Sequence, residues 1–391
     1  MRKSIFLLCA VILCASSCKE SIQQISERVF SVAETQFKQA DARLADGMLP
    51  RTFQDGKPVD NRLTWWCSGF FPGSCWYVYE WTGDNEMKAL AEKNTHKLDT
   101  LLRTRTHHDI GFQTNCSFGN AYRITGDANY LPYIEKGAAR LAKRFNPNTG
   151  VTLSWEPNPE KNWLYPVIID NMMNLELLEV ASKLFKCDSL DNIARTHART
   201  TMKNHFRPDY TTFHVLDYDP ETGAVRSKQT HQGYADDSAW GRGQAWAIYG
   251  YTMMFRETGE ADFLSQAEHI ADMIIGYLPE DGVPYWDFND PDIPNVLRDA
   301  SAGAIMCSAY VDLSTFTKDP AKAKAYKAIA EKQIRTLAGP EYLAEPGTNG
   351  GFLLKHSVGH LKGNSEVDVP LTYADYYYLE ALLKYRNVYG K

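Results

Sequence analysis

Apolar and polar positions recur at helical spacing along most of this chain, and long strand-like alternation is scarce. The pattern predicts helices at roughly 21–45, 69–82, 85–104, 112–125, 128–144, 168–185, 189–205, 237–257, 261–278, 299–315, 320–336 and 369–388. A motif punctuates them: YEWTGDNEMKALAEK, YRITGDANYLPYIEKG and FRETGEADFLSQAEHI share an aromatic, a Thr-Gly-Asp/Glu turn and a second amphipathic segment. Gly83, Gly126 and Gly259 suit the left-handed position that closes a helix. Asp84, Asp127 and Glu260 follow where the next helix begins, and an acid there favours the positive end of its dipole. KLFKCDSLDNIARTH and STFTKDPAKAKAYKAIAE are degenerate copies. Helical hairpins therefore recur at about 45 to 70 residues.

Twelve helices in six hairpins predict an all-α (α/α)6 toroid with an inner and an outer ring. An open solenoid is the alternative, although no terminal polar cap is obvious. No linker rich in Pro, Gly or Ser divides the chain, so 18–391 reads as one catalytic domain. The Thr-Gly-Asp turns are short and belong on one face. The other connections, among them RTFQDGKPVDNRLTWW, RTHHDIGFQT, NPNTGVTLSWEPNPEKNWLYP and the long segment ending WGRGQ, are long and chemically loaded. Such loops on one end of a rigid scaffold carry function. Asp109 and Asp170 both fall near inner-helix starts on that end.

Composition narrows the class. The net charge of −6 and the lack of a basic run argue against nucleic acid. The 22 Tyr, 17 Phe and 9 Trp suit sugar rings as well as ordinary cores. At the N-terminus, Arg2 and Lys3 precede an apolar run and Ala15-Ser16-Ser17-Cys18. This predicts a lipoprotein signal at 1–17, a lipid on Cys18, and an exported protein, periplasmic or anchored in the outer membrane of a Gram-negative bacterium. That lipid is the only membrane contact expected. The five later cysteines are odd in number and lack a CxxC; Cys67 could pair with Cys75, but free thiols fit better.

Candidate chemistry begins with VIIDNMMNLELL, where Asp170 sits among apolar residues. A carboxylate there needs a partner, a hydrogen bond or a proton. It either caps the following helix or is a titrating group with a raised pKa. Asp109, in HHDIGFQT, supplies a second carboxylate for acid–base work. In THQGYADDSAWGRGQAWAIYGY, Arg242 can grip a carboxylate with Trp246 stacking on a ring. The structural reading instead buries Trp240 and Trp246 and pairs Arg242 with Asp236 or Asp237. His356 and His360 are four apart, as in metal pairs, but no third ligand is evident; no metal or other cofactor is expected.

HHDIGF, VIIDNMMNLELL, THQGYADDSAWGRGQAW and SEVDVPLTYADYYYLEAL together resemble the unsaturated glucuronyl hydrolases, glycoside hydrolase family 88, from about Thr64 to the C-terminus. The resemblance implies an (α/α)6 toroid without a metal. It implies release of a 4,5-unsaturated uronic acid from the non-reducing end of lyase-generated oligosaccharides, glycosaminoglycan-type among them, by hydration of the C4=C5 vinyl ether. It assigns Asp170 as the acid/base and Asp109 as its partner. It places Trp66, His108, His214, His231, Gln232, Arg242 and Trp246 on the substrate, and His356, Ser357, His360 and Ser365 near the next sugar. Three rivals remain: an unsaturated rhamnogalacturonyl hydrolase, a sugar epimerase or isomerase using a base pair, and a non-catalytic glycan-binding lipoprotein. The sequence does not disclose oligomeric state.

Overall fold

A computed structural model describes residues 20–103 and 107–390. The expected leader and Cys18 lie outside the described residues. The helices are α1 (Ile22–Arg43), α2 (Phe70–Thr82), α3 (Asn85–Lys97), α4 (Ile110–Thr114), α5 (Asn120–Thr125), α6 (Leu131–Ala142), α7 (Asn171–Phe185), α8 (Asp188–Asn204), α9 (Gly241–Thr258), α10 (Ala261–Tyr277), α11 (Ala300–Phe316), α12 (Pro320–Leu337) and α13 (Thr372–Tyr389). A π-helical turn, Asn115–Gly119, joins α4 to α5, so the helix expected at 112–125 is one bulged rod.

The architecture is an (α/α)6 toroid. α2 packs on α13, α13 on α11, α11 on α9, α9 on α7 and α7 on α4, and the π turn with α5 returns to α2. α3, α6, α8, α10 and α12 back their inner partners. The sixth hairpin closes through the ring: α1, first in the chain, lies between α3 and α12 and outside α2 and α13. Inner helices are buried nearly all round, as in α11, whereas α1 and α8 bury one face; amphipathic segments lie outside and apolar ones inside. One continuous core runs from Ile22 to Leu383.

Gly83, Gly126 and Gly259 end α2, α5 and α9, each at φ 70°. Asp84 and Asp127 accept the backbone N–H groups of Glu86 and Asn129. Glu260 departs from the expected pattern: it makes no cap hydrogen bond and pairs with Arg195 and Arg199 instead.

At the opposite end, the long loops form β1 (Met48–Gln54), β2 (Lys57–Arg62), β3 (Phe145–Asn146), β4 (Val151–Thr152), β5 (Pro166–Ile168), β6 (Val215–Tyr218), β7 (Val225–Gln229), β8 (Ser357–His360) and β9 (Ser365–Val369). β5-β6-β7 is an antiparallel sheet; β1–β2, β3–β4 and β8–β9 are separate pairs. Two expected helix starts move as a result. Ile168 pairs with Val215, so α7 begins only at Asn171. Asp287 Oδ2 accepts Tyr234 N–H and the Ser238 hydroxyl (2.8 and 2.7 Å), holding the chain in a non-helical turn before α9 starts at Gly241. HSVGH, His356 to His360, leads into and forms β8 of the β8–β9 hairpin. Cys67, Cys75, Cys116, Cys187 and Cys307 are free thiols.

Candidate active site

The N-terminal ends of the inner helices converge on a cavity of about 290 Å³. Trp66 precedes α2, Asp109 precedes α4, Asp170 precedes α7, Arg242 is the second residue of α9, and Tyr373 is the second of α13. Their dipoles give this mouth a positive field that favours an anionic ligand. Gly111 lets α4 lie against α7: a Cβ there would meet Asn174 Oδ1 at 2.4 Å, and that oxygen accepts the N–H of Phe112. This contact accounts for the glycine of HHDIGF and seats Asp109 beside α7.

Asp170 occupies the N-cap position of α7, but its side chain makes no capping hydrogen bond. Burial pushes it up to about 7; Arg242 draws it down, Asp109 pushes it further up, and the Trp246 indole lowers it. No hydrogen bond of normal geometry joins Trp246 Nε1 to it, since that N–H and Asp170 Oδ2 both lack partners among the described residues. For Asp109, burial alone would raise the pKa, but His108 and His107 hold it below the usual carboxylate range. Its Oδ2 lies 2.9 Å from His107 Nδ1 and 3.3 Å from His108 Nε2. Two neighbouring carboxyl groups thus favour opposite ionisation states near neutrality.

The histidines are fixed by their neighbours. Burial lowers His108 to about 4, and its Nδ1 meets Asn171 Oδ1 at 2.6 Å. The Asn171 amide nitrogen is committed to Thr152 O and Ser154 Oγ, which turns its oxygen towards His108. His214 Nδ1 accepts the backbone N–H groups of His231 and Gln232 (3.1 and 3.2 Å). Burial keeps its ring neutral, so the proton sits on Nε2. That N–H has no partner among the described residues and lies 3.9 Å from Asp170 Oδ2. Asp170, His214 and Trp246 therefore aim three unsatisfied buried polar groups at one region, as a site built for a substrate or water does.

Of the residues singled out from sequence, Trp66, His108, Asp109, Asp170, His231, Gln232, Arg242, His360 and Ser365 line the cavity. His214 and Trp246 lie behind the wall. Trp246 is fully buried, so it stacks on no sugar and instead faces Asp170 with its N–H. Arg242 pairs with neither Asp236 nor Asp237. Its Nη1 lies 3.1 Å from Asp299 and also donates to Val358 O; Nη2 donates to Gly359 O at 2.6 Å. With these donors committed it acts as a fixed cation rather than a free clamp. His356 and Ser357 do not line the cavity: His356 Nδ1 meets Asp368 at 2.7 Å, and Ser357 is buried. His356 stands at a left-handed φ of 59° and the β8–β9 register shifts between Ser357 and Val358, so the regular alternation that would put His356 on the same side as His360 is broken.

Arg51, Trp65, Trp155, Glu366 and Tyr373 also line it. Trp65, Arg51 and Trp155 stand in loops that the pattern marked as loaded, and Tyr373 in the SEVDVPLTYADYYYLEAL motif, but nothing local distinguishes them from core or surface residues. Among the described residues no cluster of three or more metal-ligating side chains occurs.

A toroid whose inner helices present two oppositely tuned carboxyl groups in a tryptophan-lined pocket defines an acid–base enzyme acting on carbohydrate. The family model described as Glycosyl Hydrolase Family 88 matches residues 42–385, and the chain belongs to that family. The unsaturated glucuronyl hydrolase of Formosa agariphila is 40% identical over 99% of both chains. An unsaturated chondroitin disaccharide hydrolase of Streptococcus pneumoniae is 32% identical over 94% of this chain and 92% of its own. A crystal structure of an unsaturated glucuronyl hydrolase specific for heparin superposes with a TM-score of 0.91 at 46% identity, covering 94% of this chain and 99% of that one.

Proposed function

We propose that this enzyme removes the 4,5-unsaturated uronic acid from the non-reducing end of lyase-generated glycosaminoglycan oligosaccharides, with Asp170 as the acid and base in turn. The observation that carries the proposal is the raised pKa of Asp170, about 7, beside an Asp109 held ionised. A carboxyl group that is still protonated near neutrality can deliver a proton to C4 of the vinyl ether. Positive charge develops at C5, shared with the ring oxygen. Water adds at C5 and gives up a proton to the Asp170 carboxylate, restoring the acid. The hemiketal at C5 opens to a ketone, and the hemiacetal left at C1 expels the next sugar as an alcohol.

His214 Nε2–H, beside Asp170 Oδ2, is placed to hold the attacking water or the substrate carboxylate. Arg242, pinned by Asp299 and two carbonyls, supplies fixed positive charge rather than a mobile grip. Trp66 packs 4.9 Å from Tyr373 and offers a flat wall for the sugar. Asp109 takes sugar hydroxyls. The vinyl ether is conjugated to the carboxylate and absorbs in the ultraviolet. Purified enzyme given unsulfated unsaturated chondroitin disaccharide should bleach that absorbance with release of the amino sugar. An unchanged absorbance with an epimerised product would overturn the proposal.

Export belongs to the same proposal. The sequence from Arg2 to Cys18 supports a lipid-anchored form, checked by labelled palmitate uptake that Cys18→Ala abolishes.

A further inference from the structure

Asp299 is a fully buried carboxylate that does not line the cavity, yet it stands directly behind a residue that does. It is the N-cap of α11. Its Oδ1 accepts the backbone N–H groups of Ser301, Ala302 and Val358 at 3.0, 3.3 and 3.4 Å, and the Ser301 hydroxyl at 2.5 Å. Its Oδ2 accepts Arg242 Nη1 at 3.1 Å. Every contact on it is a donor, the arrangement of an ionised carboxylate at the positive end of a helix. Capping α11 uses one oxygen, and the other is left for Arg242.

Arg242 is 2% exposed, and among the described residues Asp299 is the one carboxylate within ion-pair distance of it. Its other donors end on the neutral carbonyls of Val358 and Gly359, and its guanidinium lies 4.4 Å from the centre of the Trp240 ring. A buried cation stripped of its counter-charge is costly. The guanidinium and Asp170 line the same cavity and favour each other's charged form. The other ionisable groups around Asp170 are engaged elsewhere or neutral. Asp109, before α4, is held by His107 and His108. His214, before β6, is kept neutral by burial, and burial also lowers His231 and His360 on the cavity wall. Arg51 and Glu366 pair with one another at 2.5 Å. Arg242 is thus the principal cation acting on Asp170.

We propose that Asp299 is a positioning residue for the acid: by neutralising Arg242 from behind, it leaves Asp170 free to keep the proton that hydration of the vinyl ether requires. The inference deepens the hydrolase reading and rests on it. An unpaired Arg242 would take Asp170 as its counter-ion, and the enzyme would reach neutral pH with its acid already ionised.

The test is the pH profile of kcat/KM for full-length enzyme, followed by ultraviolet bleaching of unsaturated chondroitin disaccharide. In D299N the amide oxygen still caps α11 but the charge is gone. The alkaline limb should move to lower pH by about one unit or more, so activity at pH 7 drops about tenfold and recovers as the pH is lowered. A merely structural loss would lower kcat/KM by one factor at every pH and leave the limb in place. D299E, which keeps the charge, should restore the limb towards its wild-type position. R242Q leaves Asp299 as an uncompensated anion and should move the limb to higher pH. R242Q/D299N, neutral again, should bring it back close to wild type whatever its KM. The double variant buries no unpaired charge, so the step from R242Q to R242Q/D299N reads Asp299 even where D299N alone does not fold. A limb unmoved in folded D299N, or one that stands in the same place in R242Q and R242Q/D299N, overturns the inference. Wild type that bleaches no unsaturated disaccharide overturns the hydrolase reading, and this inference with it.

Discussion

Asp170 is the residue on which both catalysis and pH response turn. Its acid form must be present, so kcat/KM should fall about tenfold per pH unit once pH exceeds about 7, the pKa to which burial raises it. Asp170→Asn should cost at least about a thousandfold in kcat with KM little changed, measured by ultraviolet bleaching; retained turnover would sink the mechanism. The same group makes a stability claim whose sign is fixed. In the unfolded chain it ionises near its ordinary value of 3.8; folded, it holds its proton to about 7. Its stabilising protonation is fully present below the lower value and is lost as pH rises through the higher. The melting-temperature gap between Asp170→Asn and wild type should therefore widen in the variant's favour from pH 4 to pH 7 and stay level above. Trp246→Phe removes the indole N–H that lowers the Asp170 pKa, so the alkaline limb of kcat/KM should move to higher pH. How far this was legible differs by residue. The apolar flanks of Asp170 announced a raised pKa because desolvation is a local effect. The partner of Arg242 was not legible, because Asp299 reaches it only through the packing of α11 beside α9.

The helical hairpin is the element that repeats, and its turn shows which local signals survive folding. Gly126 closes α5 at φ 70°, and an added Cβ would meet nothing within 4 Å. Gly126→Ala should thus cost about 1 kcal/mol of unfolding free energy through backbone strain alone. Its kcat and KM should stay unchanged, because the turn stands at the end of the inner rod away from Asp109. Denaturant melts and steady-state assays on one preparation would check both halves. Helix periods and glycine stops were readable because they depend on neighbours within a turn or two. The short strands were not readable. β5 takes Val167 and Ile168 out of an apolar run that looked helical, and only pairing with β6 makes them extended. Arg51 and Glu366 were missed for the same reason, since the β1 bulge and the β9 conformation exist only once the hairpins are folded.

At the scale of the whole molecule, ring closure decides which surface is left open. Five inner helices bring residues at their starts to the cavity and α11 reaches it through the Asp299–Arg242 pair, while salt-bridged side chains stand near their other ends: Arg256 binds Glu176 at 2.5 Å, and Lys384 binds Asp312 at 2.7 Å and Glu380 at 3.2 Å. Those charges are paired with opposite charges, whereas Asp170 Oδ2 has no cation within ion-pair distance among the described residues, its one such neighbour being the neutral His214 ring at 3.9 Å. No local pattern revealed that α1 would complete the outer ring beside the last helix, and the family match begins only at residue 42, near the end of α1. Yet Phe30 stacks on Trp81 at 4.4 Å, and Gln36 donates to Thr348 O and Phe352 O at 2.9 and 2.7 Å. Ile22, Ile25, Val29, Phe30, Val32 and Phe37 are buried against the core. At about 1.5–3 kcal/mol for each such side chain, their loss removes roughly 9–18 kcal/mol, as much as the ~5–15 kcal/mol by which a typical folded protein is stable. A chain beginning at Leu44 should therefore lose its cooperative melting transition in calorimetry and its activity together. If it instead melted within a few degrees of the full chain, α1 would be an accessory and the ring would close without it.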